Sequence, residues 1–284
     1  MNQENLESIL KTVQPISAMK SEYEKLIITV TLAHSWIYPD VKNYPVTTKE
    51  IIEAACECCE AGASIVHIHT PEGKAKDIVD SIREKCDVII QLGMSSEPIE
   101  KRSELFDSRP DMVSVILNHH DECFPKVEVN QIHTRKELEE YCKIFRKIGI
   151  KPEFENWHYG SVWNLNHLIK KKLLEKPYYQ TLFFGWPGGT WSPPTPDEFF
   201  HRIKYLPEGS VYSVSIMGPE QKIIVPLSIS VGGHVRVGTE DYPFISEGVP
   251  AKSNLEIVQR TVKLSREMGR EVATPSEARK ILGI

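Results

Sequence analysis

Residues 87–93 read Asp-Val-Ile-Ile-Gln-Leu-Gly (DVIIQLG), and a run of the same character, YQTLFFG, occupies residues 179–185. Each is short, nearly unbroken in its apolar character and closed by glycine, with no alternation to mark a face turned to water. Strands of that kind are buried on both sides, as in a parallel sheet covered by helices. Six further runs accompany them: LIITVTLA (26–33), ASIVHIHT (63–70), DMVSVIL (111–117), KPEFEN (151–156), VYSVSIMG (211–218) and HVRVG (234–238). Between them lie amphipathic stretches with helix-start signals. Thr47, Thr134, Thr195, Ser253 and Thr274 are each followed three residues later by glutamate, the pattern of a capping box, in which hydroxyl and carboxylate each satisfy a free amide. Pro196 and Pro275 stand at the first helical position, where a missing N–H costs nothing.

Eight strand-then-helix units in 284 residues are the count of a (β/α)8 TIM barrel. The expected organisation is one barrel over residues 26–284, preceded by an N-terminal helical extension (1–25) in which LESILKTV and SEYEKL have helical spacing. A doubly wound open sheet is the runner-up, disfavoured because no G-x-G-x-x-G follows the first strand. No repeat, low-complexity tract or flexible linker divides the chain.

Composition narrows the function. The chain is 40% hydrophobic and 26% charged, which excludes a disordered or fibrous protein. With 34 Lys and Arg against 39 Asp and Glu, the net charge of −5 offers no positive field for nucleic acid. No apolar run approaches the ~18 residues a membrane span needs, and the polar start MNQENLESILKTVQ is unlike a secretory signal. A soluble, cytoplasmic protein without membrane or nucleic-acid partners is expected. All six cysteines lie in the first half, three within AACECCEAG, and reduced thiols on a packed helix are favoured over a metal cluster.

His67-Ile68-His69 closes the second strand. Strand side chains alternate, so both imidazoles face the barrel interior at the end where barrel active sites are built, spaced to share one ion. In GGHVRVGTED, His234 and Arg236 share a face, and Glu240 and Asp241 fall in the loop returning over the same mouth. Two histidines, one carboxylate and an open position form a recognised catalytic zinc set. Glu153 and Glu155 also point one way, and inward is favoured because outward they would lie unpartnered under helices. Trp186-Pro187-Gly188-Gly189 reads either as a ligand-approaching loop or as a Pro/Gly turn. Asn118-His119-His120-Asp121-Glu122 is a competing polar cluster, ranked lower because consecutive residues rarely converge on one ion. Lys170-Lys171-Lys172 reads as a solvated helix face.

With AGASIVHIHT, KPEFE, the Gly-Gly after the sixth strand, GGHVRVGTED and ATPSEARKILG in this order, the chain resembles the beta-keto acid cleavage enzyme family from about Ile27 to its end. The resemblance implies a zinc-dependent (β/α)8 barrel, commonly tetrameric, that condenses a β-keto acid with acetyl-CoA and releases acetoacetate and a shortened acyl-CoA. It implies His67, His69 and Glu240 as metal ligands for zinc or another divalent ion, Asp241 as the proton-abstracting acid and Arg236 as its partner. Ser114 falls where the family has a substrate-holding Thr or Ser. Three positions depart from the pattern. Trp36 stands where a glutamate grips a substrate ammonium, which disfavours an ammonium-bearing acid and points to an apolar or aromatic end. Gly93 replaces a substrate-binding serine, leaving Ser95 or Ser96 to stand in. Pro71 replaces an arginine. Two other readings are a metal-dependent hydrolase of the amidohydrolase type, using His67, His69, His158 and Asp241, and a barrel that binds a ligand without turning it over.

Overall fold

Parallel pairing carries the chain around a closed ring. The computed structural model describes residues 23–93, 95–117, 119–189 and 191–284. Strands β1 (Ile28–Thr31), β2 (Ile65–Ile68), β3 (Ile89–Leu92) and β4 (Met112–Ile116) lie side by side in sequence order. A hairpin of β5 (His119–Cys123) and β6 (Glu128–Ile132) then leaves the ring, with His120 opposite Gln131. The ring resumes with β7 (Lys151–Asn156), β8 (Tyr178–Phe184), β9 (Ser210–Ile216) and β10 (His234–Gly238), and closes where Ile28 of β1 lies opposite Val235 of β10. All eight expected strands are therefore ring members, and the fold is a (β/α)8 TIM barrel. The hairpin and a short pair, β11 (Phe244–Ser246) with β12 (Val249–Pro250), were not expected from the sequence.

The outer layer consists of α1 (Thr48–Ala61), α2 (Ala75–Lys85), α3 (Ser103–Asp107), α4 (Arg135–Ile148), α5 (Val162–Lys170), α6 (Pro196–Lys204), α7 (Gln221–Ser230), α8 (Asn254–Glu267) and α9 (Pro275–Leu282). One face of each strand meets these helices: Val30, Val66, Ile90, Val113, Leu182 and Val214 belong to the main core. The other face fills the ring. Ile27, Ile65, Ile89, Met112 and Tyr179 pack with Ala273, Ala278 and Leu282, so the C-terminal segment plugs the floor. Chemistry is left to the opposite end, where the strands finish.

Local signals held unevenly. Thr47 and Thr274 form complete capping boxes. Thr134 and Thr195 cap their helices, but Glu137 and Glu198 turn instead to His133 (3.4 Å) and Ser192 (2.6 Å). Ser253 makes no side-chain cap, and Glu256 accepts from the Lys252 amide at 2.6 Å. Residues 1–22, and LESILKTV with them, lie outside the described residues. Tyr23–Lys25, expected to continue a helix, is not helical, because Leu26 is drawn into a parallel bridge with Val272 and Lys25 pairs with Glu271 and Glu277. The cysteines are free thiols: Cys58 is buried on α1, and Cys56 lies 3.0 Å from Cys86. Lys171 follows α5 and pairs with Glu139 at 2.8 Å. Among the described residues no helix is long and apolar enough to cross a membrane.

Candidate active site

Strand parity delivers His67 and His69 to the open end of β2, and a tight turn after β10 delivers the third group. Gly238 adopts φ +147°, and a Cβ there would lie 2.3 Å from the Thr31 carbonyl oxygen, so only glycine permits this approach of β10 to β1. Thr239 is then fixed from both sides: its amide donates to Asn254 Oδ1 and its hydroxyl accepts from Asn254 Nδ2, both at 2.9 Å, while the hydroxyl donates to the Ala33 carbonyl at 2.8 Å. Glu240 is thereby aimed at the histidines. The His67 and His69 Nε2 atoms lie 3.2 Å apart, and Glu240 oxygens lie 3.6 Å and 3.4 Å from them. Ligand atoms at the corners of a tetrahedron around zinc, with bonds near 2.0–2.1 Å, would be roughly 3.3 Å apart. The separation of the two Nε2 atoms is close to that edge, and each histidine meets a different Glu240 oxygen at a similar distance.

Protonation agrees with this donor set. His67 Nδ1 donates to Gln91 Oε1 at 2.8 Å, which leaves the Nε2 lone pair facing Glu240. Burial, reinforced by the charge of Arg236, pushes His67 down to about 3, so its ring is neutral. Burial alone would raise Glu240, but His69, His67 and Arg236 outweigh it and hold the carboxyl low. Glu240 Oε2 is buried and accepts no hydrogen bond. A Cβ at Gly93 would come within 2.5 Å of His69 Nε2 and 2.9 Å of His67 Nε2, so the bare backbone of Gly93 forms one wall of the site.

Beside this set, Arg236 reaches Asp241 along two edges, Nε to Oδ2 at 3.1 Å and Nη2 to Oδ1 at 3.0 Å, and Glu240 Oε1 at 2.9 Å. The guanidinium sits 5.0 Å from the Phe183 ring centre, and Ser215 donates to Asp241 at 2.8 Å. Asp241 is raised by burial, with Arg236 opposing. One guanidinium thus couples a metal ligand to a second, non-ligating acid.

Above them a cavity of about 250 Å³ opens at the mouth. Its wall combines barrel groups, His69, Glu155, Arg236 and Glu240, with Trp36 from the loop after β1 and groups from the β5–β6 hairpin. Alternation along β5 turns His120 and Glu122 inward and buries them, bonded to one another. Burial, then the charge of Glu155, pushes Glu122 up to about 9, and burial takes His120 down to about 4. Glu155 accepts from Ser95 Oγ at 2.9 Å and from the Trp157 ring nitrogen at 3.3 Å.

Residues 25–284 match the family model described as beta-keto acid cleavage enzyme. The chain belongs to that family. The 3-keto-5-aminohexanoate cleavage enzyme of Acetoanaerobium sticklandii is 36% identical, over 92% of this chain and 99% of its own. A 3-dehydrocarnitine:acetyl-CoA trimethylamine transferase of Rhizobium meliloti is 27% identical, over 84% of this chain and 90% of its own. The solved apo structure of ObcA superposes with a TM-score of 0.72 at 18% identity, covering 85% of this chain and 65% of that one, a likeness of fold.

In this beta-keto acid cleavage enzyme family member, His67, His69 and Glu240 are the one group among the described residues whose ligand atoms all lie within 4.8 Å of one another. His158 stands outside it, as does the His119-to-Glu122 run, whose residues alternate across β5 rather than converge. Trp36, Ser95, Ser96, Glu155 and Arg236 share the cavity. Ser114 and Glu153 face inward but lie a layer lower, fully buried and outside the cavity lining, with Ser114 Oγ donating to the Leu92 carbonyl at 3.4 Å. Asp241 lies behind Arg236, also fully buried. Pro71 is exposed beyond the mouth. The Trp186–Gly189 loop is docked on the hairpin: Gly189 bridges Glu122, and the Cys123 amide donates to the Gly188 carbonyl at 2.9 Å.

The sequence reading missed Gln91 and Arg102, and it offered His120 and Glu122 only as part of a competing metal site, where the structure makes them cavity lining. Arg102 is buried and donates to the Gly93 (3.1 Å) and Ser114 (2.6 Å) carbonyls, holding the strand end that walls the histidines. An arginine in a short helical turn looks solvent-exposed from sequence, so only Gln91, on the inward parity of β3 opposite His67, carried a usable signal.

Glu153 is the group through which pH should act on stability. It is fully buried, and burial, then the charge of Glu155, pushes it up to about 8 from 4.5 against the opposing charge of Arg236 and a hydrogen bond with Thr181. Between those values the unfolded chain ionises while the folded one retains its proton, so this group's contribution to stability falls as pH rises and is fully lost above about 8. Glu153→Gln removes that slope. The expected result in thermal melts is a variant roughly 5 °C more stable than wild type at pH 8 and within about 1 °C of it below pH 5.

Proposed function

We propose that the protein is a zinc-dependent β-keto acid cleavage enzyme that condenses a 3-oxo acid with acetyl-CoA and releases acetoacetate and a new acyl-CoA. One observation carries this reading: a two-histidine, one-glutamate set whose ligand atoms converge within 4.8 Å, joined through Arg236 to a second acid, in a member of this family. The relative named as an acetyl-CoA trimethylamine transferase supports acetyl-CoA as co-substrate.

His67, His69 and Glu240 would hold the ion, with Gln91 orienting His67. A divalent ion there supplies Lewis acidity toward the carbonyl and carboxylate oxygens of a keto acid. Asp241 takes the proton from the carbon between those two groups. Burial raises Asp241 above an ordinary Asp, near 3.9, but a carboxylate remains a weak base toward carbon, so the acidity of the substrate must do most to permit the transfer. Arg236 holds Asp241 in place through its two nitrogens and keeps positive charge beside the growing enolate, where a fixed cation helps most. The carbanion attacks the thioester carbonyl of acetyl-CoA. The CoA thiolate expelled there adds to the original keto carbon, and the bond between that carbon and the attacking carbon then breaks, so the acyl group leaves as its CoA thioester and the acetoacetate carbanion takes back the proton held by Asp241.

The direct test incubates zinc-loaded protein with a panel of 3-oxo acids and acetyl-CoA and follows acyl-CoA products by mass spectrometry. Exchange of the CoA ester, dependent on both substrates, is expected. Absence of exchange across the panel with metal bound would overturn the reading, and solvent oxygen entering product without acetyl-CoA would favour a hydrolase. Gln91→Leu removes the acceptor that fixes His67, and metal affinity is expected to fall about 10–100-fold in a competition titration with a chelator.

A further inference from the structure

The thiols of AACECCEAG take no part in the site described above, yet they are not simply packed into the core. On α1, Cys58 is fully buried, while Cys56 and Cys59, three residues apart and so on one side of the helix, are half-buried. Cys86 follows the last turn of α2, where its amide donates to the Ile82 carbonyl at 2.9 Å, and it too is half-buried. The Sγ atoms of Cys56 and Cys86 lie 3.0 Å apart, and Cys59 also interacts with Cys86.

Apolar packing is a poor account of that separation. Ordinary contact between non-bonded atoms falls at about 3.5–4.0 Å, and the two sulfurs are closer. A disulfide, with its sulfurs about 2.05 Å apart, requires roughly 1 Å of further approach, which small rotations about the two Cα–Cβ bonds supply. One sulfur hangs from the interior of a helix and the other from a helix cap, so the scaffold itself brings them together. The two residues are 30 apart in the chain, and between them runs β2 with His67 and His69 at its end. A bond between Cys56 and Cys86 would close a loop around the strand that carries both histidines. Burial, then Cys56, raises the Cys86 thiol, and burial raises Cys59. Neither is the activated thiolate that a catalytic nucleophile needs.

We propose that Cys56 and Cys86 form a reversible redox pair, converted by exchange with a low-molecular-weight disulfide into a bridge that clasps α1 to the end of α2. In the first step the Cys56 thiolate attacks one sulfur of the small disulfide, forming a mixed disulfide and releasing one thiolate. Cys86 then loses its proton and attacks the Cys56 sulfur, expelling the second thiolate. The pair gives up two electrons and two protons, and the small disulfide leaves as two thiols. An excess of small thiol reverses both steps. The inference is independent of the reaction proposed above, because it needs neither substrate nor turnover.

The test equilibrates zinc-loaded full-length protein, freed of excess metal, in oxidised or reduced glutathione, quenches with acid, alkylates the remaining thiols and maps peptides by mass spectrometry. Oxidised glutathione is expected to yield a peptide linked through Cys56 and Cys86, and reduced glutathione to return six alkylated cysteines. Closing a loop of this length is expected to raise the melting temperature by roughly 5–10 °C over the reduced protein. Cys59→Ser should keep both the bridge and the shift. Cys86→Ser, a conservative change at a half-buried position, should lose both and carry glutathione on Cys56. Mapping on wild type decides the matter even where a variant folds poorly. Six free thiols after prolonged oxidation, glutathione adducts without an internal bridge, or a bridge mapped to another pair would overturn the proposal, and a Cys56–Cys86 bridge that leaves the melting temperature unchanged would overturn the clasp.

Discussion

Glu240→Gln is expected to empty the metal site, with bound zinc falling from about one ion per chain to a small fraction and kcat/KM for CoA-ester exchange falling at least about 10³-fold. The substitution keeps size and shape but removes the one negative charge among three ligands. It also places an amide where Glu240 Oε1 now accepts from Arg236 Nη2 at 2.9 Å, so an N–H that turns that way faces another donor. Arg236 would be left with Asp241 alone, and the amide would be drawn away from the histidines. The fold should survive, because Asp241 still pairs with the buried guanidinium and the β10 turn is fixed by Asn254 and Ala33 rather than by Glu240 itself. Metal content by elemental analysis, together with thermal melts, separates loss of ion from loss of structure. A Glu240→Gln protein that retains a full complement of zinc and normal turnover would remove the metal set from the mechanism.

Most of this centre could be read without coordinates because it is made of strand ends. The H-x-H spacing on β2 fixes a shared face, and GTED follows a strand whose parity points Arg236 inward, so the ligands and the acid–arginine pair follow from periodicity joined to the family pattern. Depth along the barrel axis is another matter. Parity states that Ser114 and Glu153 face inward but not that they lie beneath the cavity, since that depends on the stagger between neighbouring strands, in which Ser114 lies opposite Glu153 and Ile116 opposite Glu155. The hairpin was illegible for a different reason. His119-His120-Asp121-Glu122 is polar at every position, so no alternation betrays a strand; its inward face lines a polar cavity instead of a core. The same physics disguised Arg102, whose buried guanidinium donates to the backbone carbonyls of Gly93, just past β3, and Ser114, within β4.

Asp241→Asn addresses the chemical step and should part company with Glu240→Gln on metal content. Zinc binding is expected to persist, because Asp241 is not within the ligand set, while kcat falls about 10²–10⁴-fold, the usual worth of a positioned general base. The decisive readout is a half-reaction. Wild-type protein with zinc and a 3-oxo acid in D2O, without acetyl-CoA, should exchange the hydrogens on the carbon between carbonyl and carboxylate faster than the same mixture lacking enzyme. Asp241→Asn should bring that exchange to the background rate with zinc still bound. Arg236 enters the same experiment as a positioning residue. Its Nε and Nη2 hold both Asp241 oxygens, so Arg236→Gln should slow exchange, and Arg236→Lys, which keeps the charge but cannot span both oxygens, should recover part of it. Some loss of stability accompanies these changes, since separating a buried ion pair strands the remaining charge, so exchange is compared only between proteins with matched melting curves. If Asp241→Asn exchanges at the wild-type rate, the base is another group at the mouth, and Glu155, a carboxylate that lines the cavity and is not assigned to the ion, becomes the residue to substitute next.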